Sequence, residues 1–279
     1  MRHLFALLLT GLVAACAPIA ALDLLVPRDG YQRQIGIAYG EGPRRRLDIY
    51  RPEAATGPRP VVLFVYGGSW SSGERAQYRF VGQALAARGY VAVLPDYRLD
   101  PDGRFPGFVE DVAAAVAWTH RHVTAHGGDP ARLYLMGHSA GAYNIAMVAA
   151  DPRYLAAHGL DRSVVAGAIG LAGPYDFLPL DSATTRRVFG HAEDLAATQP
   201  IRLVDAATPP MLLLHGAEDD TVYARHSLRL AERLQALGVK AEAKLYPETG
   251  HIGIVLALSP LARDDPPVLS DLDRFIDGQ

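Results

Sequence analysis

From Leu133 an apolar run, Leu133-Tyr134-Leu135-Met136, meets Gly137-His138-Ser139-Ala140-Gly141 and then a string of small, helix-favouring residues from Ala142 to Ala150. No other stretch of the chain restricts the fold as much. The run has the length and makeup of a strand buried in a parallel sheet. The residues after it read as a helix, so the backbone must reverse between Gly137 and Gly141. A serine at the centre of such a turn sits on strained backbone, and a side chain two positions to either side would strike its neighbours, which accounts for both glycines. The serine hydroxyl then projects beyond the carboxyl end of the strand. The N–H of Ala140, opening the helix, is free to meet negative charge that develops there.

The same alternation recurs along the chain. Gln32–Tyr39 and Arg46–Tyr50 read as short strands around a Gly-Glu-Gly-Pro turn, and Val61–Val65 is wholly apolar, as in a strand covered on both faces. A helix at Arg75–Arg88 precedes a strand at Tyr90–Leu94. An amphipathic helix at Phe108–His126 closes on Gly127-Gly128. Beyond the central serine come strands at Val164–Leu171, Met211–Leu214 and Ala241–Tyr246, with a helix at Ala224–Leu237 between the last two. Strands alternating with helices predict an α/β fold: a mostly parallel sheet of about eight strands, helices on both faces, and reactive residues at the strands' carboxyl ends. The one long interruption, residues 174–210, has room for a small cap and a short helix at Glu193–Ala197, not for a second domain.

A serine hydroxyl is a weak nucleophile unless a histidine takes its proton and a carboxylate orients that histidine. Downstream of Ser139 stand His158, His191, His215, His226 and His251. His226 falls within the predicted helix, which turns its side chain away from the strand tips. His251 follows the last strand in Tyr246-Pro247-Glu248-Thr249-Gly250-His251, at the edge where Ser139 projects, and is the expected base. For the carboxylate, Glu218, Asp219 and Asp220 are consecutive, and spacing alone does not choose among them. Gly67 and Gly68 follow the Val61–Val65 strand, where backbone amides free of side chains could join Ala140 in an oxyanion hole. No metal-binding histidine pair and no phosphate-binding glycine loop is present, so neither a metal nor a cofactor is expected.

With these residues in place the chain resembles the α/β-hydrolase superfamily, over roughly residues 46–254. It is similar to hormone-sensitive-lipase-like and feruloyl-esterase-like (BD-FAE-like) carboxylesterases, including bacterial relatives of isoprenylcysteine methylesterase. The Ser…Asp…His order is theirs. Their acid loop, His-Gly-x-x-Asp-x-x-Val, lies here over His215–Val222, and the resemblance implies Asp219 as the acid. Their His-Gly-Gly-x-Trp oxyanion loop is Tyr66-Gly67-Gly68-Ser69-Trp70 here, with a tyrosine in place of the histidine. Asp96-Tyr97-Arg98 also matches a segment they share and is expected to brace the elbow region, with Glu110 and Asp111 as a solvated or bracing pair. The resemblance implies a serine esterase acting on small or short-acyl esters. An arylformamidase-like amidase, a peptidase, and a non-catalytic envelope scaffold are the alternatives.

The net charge of −3 and the lack of a basic stripe give no footprint for nucleic acid. The first residues point elsewhere. Arg2 and His3 precede an apolar run, Leu4–Val13, of signal-peptide length, which ends at Val13-Ala14-Ala15-Cys16. This resembles the lipobox of bacterial lipoproteins, and Cys16 is the single cysteine of the chain, with no partner for an intramolecular disulfide. The expected organisation is a lipoprotein signal over residues 1–15, a tether over 16–30 and the hydrolase domain over 31–279. The expected location is outside the cytoplasm, on a membrane surface through lipidated Cys16. In the tether, Leu24-Leu25-Val26 could lie on lipid or pack on the domain.

Overall fold

A computed structural model of the chain describes residue 22 and residues 25–54, 56–262 and 265–278. Eight strands form one sheet: β1 (Tyr31–Ala38), β2 (Arg46–Pro52), β3 (Arg59–Val65), β4 (Val91–Pro95), β5 (Gly128–His138), β6 (Gly167–Leu171), β7 (Met211–Gly216) and β8 (Ala241–Tyr246). Their order across the sheet is β1-β2-β4-β3-β5-β6-β7-β8. β1 and β2 pair antiparallel, as do β2 and β4, and every later pairing is parallel. The expected α/β architecture is therefore present. Its apolar runs sit in the middle, where β3 and β5 hold Val62 against Tyr134 and Phe64 against Met136.

Every residue of β4, β6 and β7 is buried, so both faces of the sheet are covered. The helices are α1 (Arg79–Ala87), α2 (Gly107–His122), α3 (Ala140–Ala150), α4 (Pro152–Ala156), α5 (Ala183–Phe189), α6 (Pro200–Leu203), α7 (Arg225–Ala236), α8 (Gly253–Leu256) and α9 (Val268–Asp277). α1 packs on β2 and β4, α3 on β5 and β6, α7 on β7 and β8, and α9 on β7. All eleven residues of α3 are buried, which requires its Ala-rich sequence: small side chains let it lie close to the sheet between α2 and the strands.

Several elements differ from the sequence reading, three of them in ways with a clear local cause. The cap helix is α5, not Glu193–Ala197. Ser182 and Thr185 form a reciprocal capping box at its start, and Val188 and Phe189 bury its end. Around Glu193–Ala197 there is only a 3₁₀ turn, Ala196–Thr198, closed where the Asp194 carboxylate accepts the Ala196 N–H at 2.8 Å. β6 starts at Gly167 instead of Val164, because Asp161 caps a tight turn over Arg162–Val164. α9 was not anticipated. Its apolar residues Val268, Leu272 and Ile276 recur every four positions and are buried, but Pro266 and Pro267 mask its start. Of the tether, Val26 packs into the core and its carbonyl accepts Arg79 Nη2 at 2.9 Å, whereas Leu25 is exposed. Cys16 and the expected signal segment, residues 1–15, lie outside the described residues.

Candidate active site

β5 delivers Ser139 to the carboxyl edge of the sheet. The Ser139 backbone has φ +54° and ψ −121°, a conformation that non-glycine residues rarely adopt. Its N–H still donates to Leu171 O at 2.8 Å, extending the β5–β6 ladder by one residue. The flanking glycines are required by contact. A Cβ on Gly141 would lie 2.0 Å from Val65 O, and one on Gly137 would lie 2.5 Å from the backbone of Gly141.

The loops after β7 and β8 are pressed together: Glu218 N–H donates to Thr249 O at 3.0 Å, and a Cβ on Gly216 would lie 2.1 Å from that same oxygen. This contact carries Asp219 to His251. His251 Nδ1 lies 2.7 Å from Asp219 Oδ2, and His251 Nε2 lies 2.8 Å from Ser139 Oγ. The three predicted side chains thus meet in one hydrogen-bonded chain, with the imidazole between the hydroxyl and the carboxylate. Asp219 is buried, while Glu218 and Asp220 point to solvent. The Asp219 Oδ1 atom accepts the N–H groups of Thr221 at 3.0 Å and Val222 at 2.8 Å. Burial alone would raise the Asp219 pKa. Hydrogen bonds from His215, His251 and the Val222 amide outweigh that and hold the carboxyl well below the usual range.

Gly67 and Gly68 stand beside the serine. A Cβ on Gly67 would lie 2.9 Å from Ser139 Cβ, so no larger residue fits there. Gly68 (φ +124°), Ser69 (φ +51°) and Trp70 (φ +57°) follow in left-handed conformations. They form a tight loop in which Gly68 O accepts the amides of Ser71 and Ser72 at 3.0 Å. Ala140 is the first residue of α3, where a helix leaves its N–H groups unpaired.

Tyr66 carries a polar network of its own. It donates its hydroxyl to Asp96 Oδ1 at 3.0 Å and accepts from Arg44 Nη2 at 2.7 Å, and its ring stacks on Tyr97 with centroids 4.8 Å apart. Tyr97 OH returns a hydrogen bond to Tyr66 O at 3.0 Å. The Asp96-Tyr97-Arg98 segment therefore braces the loop after β3 rather than the elbow itself, and Arg98 clamps buried Asp111 of α2. Glu110 stays half exposed beside it. Arg44 was not singled out from sequence; it lies in the turn between β1 and β2, where an arginine carries no local signal.

His226 differs from expectation. It opens the first turn of α7 and is buried in the wall of the cavity above Ser139, where its Nδ1 accepts the Asp176 N–H at 3.2 Å. Burial pushes its pKa down to about 4. This cavity, about 380 Å3, is bounded by Ser139, Trp70, Phe177, Val222 and His226. On its inner side Trp70, Tyr143, Phe177 and Phe189 pack ring to ring, with Trp70 and Phe189 centroids 4.8 Å apart. Trp70 Nε1 donates to Asn144 Oδ1 at 3.0 Å, fixing the indole. A larger cavity of about 780 Å3, lined by Phe105, Tyr154 and His191, holds none of the three hydrogen-bonded residues.

Residues 47–234 match the BD-FAE family. The chain belongs to that family. The matched span of this BD-FAE member includes Gly67, Ser139 and Asp219 and ends before His251. The chain is 34% identical over 243 residues to a probable isoprenylcysteine alpha-carbonyl methylesterase of Arabidopsis thaliana, covering 79% of this chain and 51% of that protein. To esterase LipC of Mycobacterium tuberculosis it is 33% identical over 242 residues, covering 79% and 60%. It thus spans between half and two thirds of the length of these relatives. Among solved structures, esterase B of Lactobacillus rhamnosis superposes with a TM-score of 0.80 at 21% identity, over 96% of this chain and 92% of that one. Thermogutta terrifontis esterase 2 gives 0.74 at 24%, over 90% and 96%. At these identities the likeness is one of fold, the α/β-hydrolase fold.

Proposed function

We propose that the protein is a serine carboxylesterase acting on small or short-acyl esters. One observation carries the reading: the unbroken Ser139–His251–Asp219 hydrogen-bond chain, 2.8 and 2.7 Å, at the mouth of a cavity and beside Gly67. Ser139 Oγ attacks the ester carbonyl while His251 Nε2 takes its proton, and Asp219 supports the imidazolium that forms. The negative charge on the carbonyl oxygen meets the amides of Ala140 and of Gly67 or Gly68. His251 then gives its proton to the departing alkoxide, leaving an acyl group on Ser139. Water, deprotonated by the same imidazole, attacks that acyl group and releases the acid and free serine. These steps need no cofactor. Relatives named as methylesterases and as an esterase support an ester as the substrate.

The short-acyl preference rests on the packed rings of Trp70, Phe177 and Phe189, which close the inner side of the cavity. The Leu4–Val13 run followed by Ala14-Ala15-Cys16 supports export and a lipid anchor, the anchor being acyl chains on Cys16. The central test is hydrolysis of aryl esters from acetate to decanoate by the wild-type chain and by Ser139→Ala, with a fluorophosphonate probe mapped by peptide sequencing. Label on Ser139 and activity lost with it are expected. Full activity in Ser139→Ala would end the proposal.

A further inference from the structure

The carboxylate of Asp219 is held from two sides. His251 Nδ1 reaches Oδ2 at 2.7 Å, and on the same oxygen, at 3.3 Å, lies Nε2 of His215, the last residue but one of β7. His215 is wholly buried. Its Nε2 also lies 2.7 Å from Val222 O. Both neighbours of Nε2 are acceptors without a hydrogen of their own, so Nε2 carries the proton, which it donates to Val222 O with Asp219 Oδ2 alongside at 3.3 Å. On the other side of the ring Nδ1 lies 2.8 Å from Oγ of Ser227, a buried residue of α7. Because Nε2 holds the hydrogen, Ser227 is placed to donate to Nδ1. The order is Ser139, His251, Asp219, His215, Ser227, running from the edge of the sheet into its core.

We propose that His215 is a positioning residue for the reaction: its Nε2–H holds Asp219 Oδ2 and draws charge from it, so setting how strongly His251 retains a proton. The proposal rests on the esterase reading above. A carboxylate that loses one donor keeps more charge for its remaining partner, and a more charged Asp219 favours the imidazolium of His251. Other ionisable groups around the pair are His138 at the end of β5, His226 on α7, and, farther out, Arg225, Arg229 and Asp176. His138 donates Nε2–H to His251 O at 2.9 Å and fixes the backbone of the base, not its carboxylate. His226 faces Asp176 and the cavity. Among these described groups, His215 alone lies beside His251 on the oxygen that orients the base.

His215→Leu removes the donor at similar volume, and His215→Gln returns an N–H near the Nε2 position. In His215→Leu we expect kcat to fall about tenfold or more with KM little changed. The acid limb of kcat/KM, which reports the base in the free enzyme, should move up by about half a pH unit. In His215→Gln most of kcat and the wild-type limb should return. If His215→Leu does not fold, Ser227→Ala serves, with the limb moving the same way by less. A wild-type acid limb in whichever of these variants folds would overturn the proposal, as would a Gln variant no better than Leu. Ser139→Ala run alongside separates the two readings. Hydrolysis indifferent to Ser139 removes the triad itself, whereas hydrolysis that needs Ser139 but ignores His215 removes this inference alone.

Discussion

Asp219 and Asp220 are adjacent and chemically identical, yet the fold gives them opposite surroundings. Asp219 is buried with three hydrogen bonds on it and His215 Nε2 at 3.3 Å, and Asp220 is exposed with one contact, from Thr221 Oγ1 at 3.4 Å. Asp219→Asn, Ser139→Ala and His251→Ala should therefore each lower kcat by about a thousandfold or more, since such residues act as a unit. Asp220→Asn should stay within about threefold of wild type, because an exposed side chain with one long contact contributes little. Steady-state kinetics on an aryl acetate, with a melting curve for each variant, checks both; a larger loss in Asp220→Asn would reassign the acid. Gly67 offers a steric counterpart. The methyl of Gly67→Ala would press on Ser139 Cβ, so kcat should drop by about a hundredfold, the size of a lost oxyanion donor, and the melting temperature should fall as the backbone shifts to relieve the contact.

At the scale of elements, α5 matters for what it carries inward. The Ser182–Thr185 box starts the helix and Phe189 ends it, placing that ring against Trp70, Phe108 and Phe177. Two rings of this block, Trp70 and Phe177, line the 380 Å3 cavity, and on the proposed reading the block limits how long an acyl chain it can cover. Each buried methylene is worth about 0.8 kcal/mol, so efficiency should rise with acyl length only while there is wall to cover it. A chain-length series of aryl esters should peak at short chains and fall well before about ten carbons. Phe177→Ala, which opens the block at its cavity face, should move that peak to longer chains. An unshifted peak would show that the ring does not limit the acyl site.

For the whole molecule, acid is the expected weakness. Burial lowers the pKa of His226 to about 4 and that of His138 to about 3. Unfolded, both would titrate near the ordinary histidine value of about 6.5. Below that pH the unfolded chain takes up protons that the folded chain refuses, so stability falls as pH drops from about 6.5 toward the folded values. For His226 alone the loss amounts to about 3 kcal/mol by pH 4. Urea unfolding at pH 7 and pH 5 should show a clear decline, and His226→Gln should lessen it; an equal decline in the variant would place the acid sensitivity elsewhere. Location is also a property of the whole chain. If Cys16 carries the proposed acyl chains, Cys16→Ser should abolish fatty-acid labelling and move active enzyme from the membrane to the soluble fraction of a bacterial host, because several acyl chains together anchor stably. Unlabelled wild-type protein would reduce Cys16 to an incidental residue of an ordinary signal.

The strand–turn–helix around Ser139, the buried strands of the central sheet and the place of His251 after the last strand are legible in the sequence. Each signal is local: an apolar run, a glycine that a close approach demands, a residue just past a strand end. What only the tertiary structure decided is partnership. His251 and Ser139 stand 112 positions apart, and no pattern within a few residues of either specifies a distance of 2.8 Å. Spacing could not rank Glu218, Asp219 and Asp220; the contact between the loops after β7 and β8 chooses Asp219 by burying it alone. Tyr66 looked like a departure, and Arg44, from the turn before β2, and Asp96, just past β4, make it a substitute anchor. His215 and His226 looked alike as spare histidines. One proved to lie on the acid and the other in the cavity wall, because a side chain's neighbours follow from the order of strands in the sheet, and that order is settled only when distant apolar faces pack.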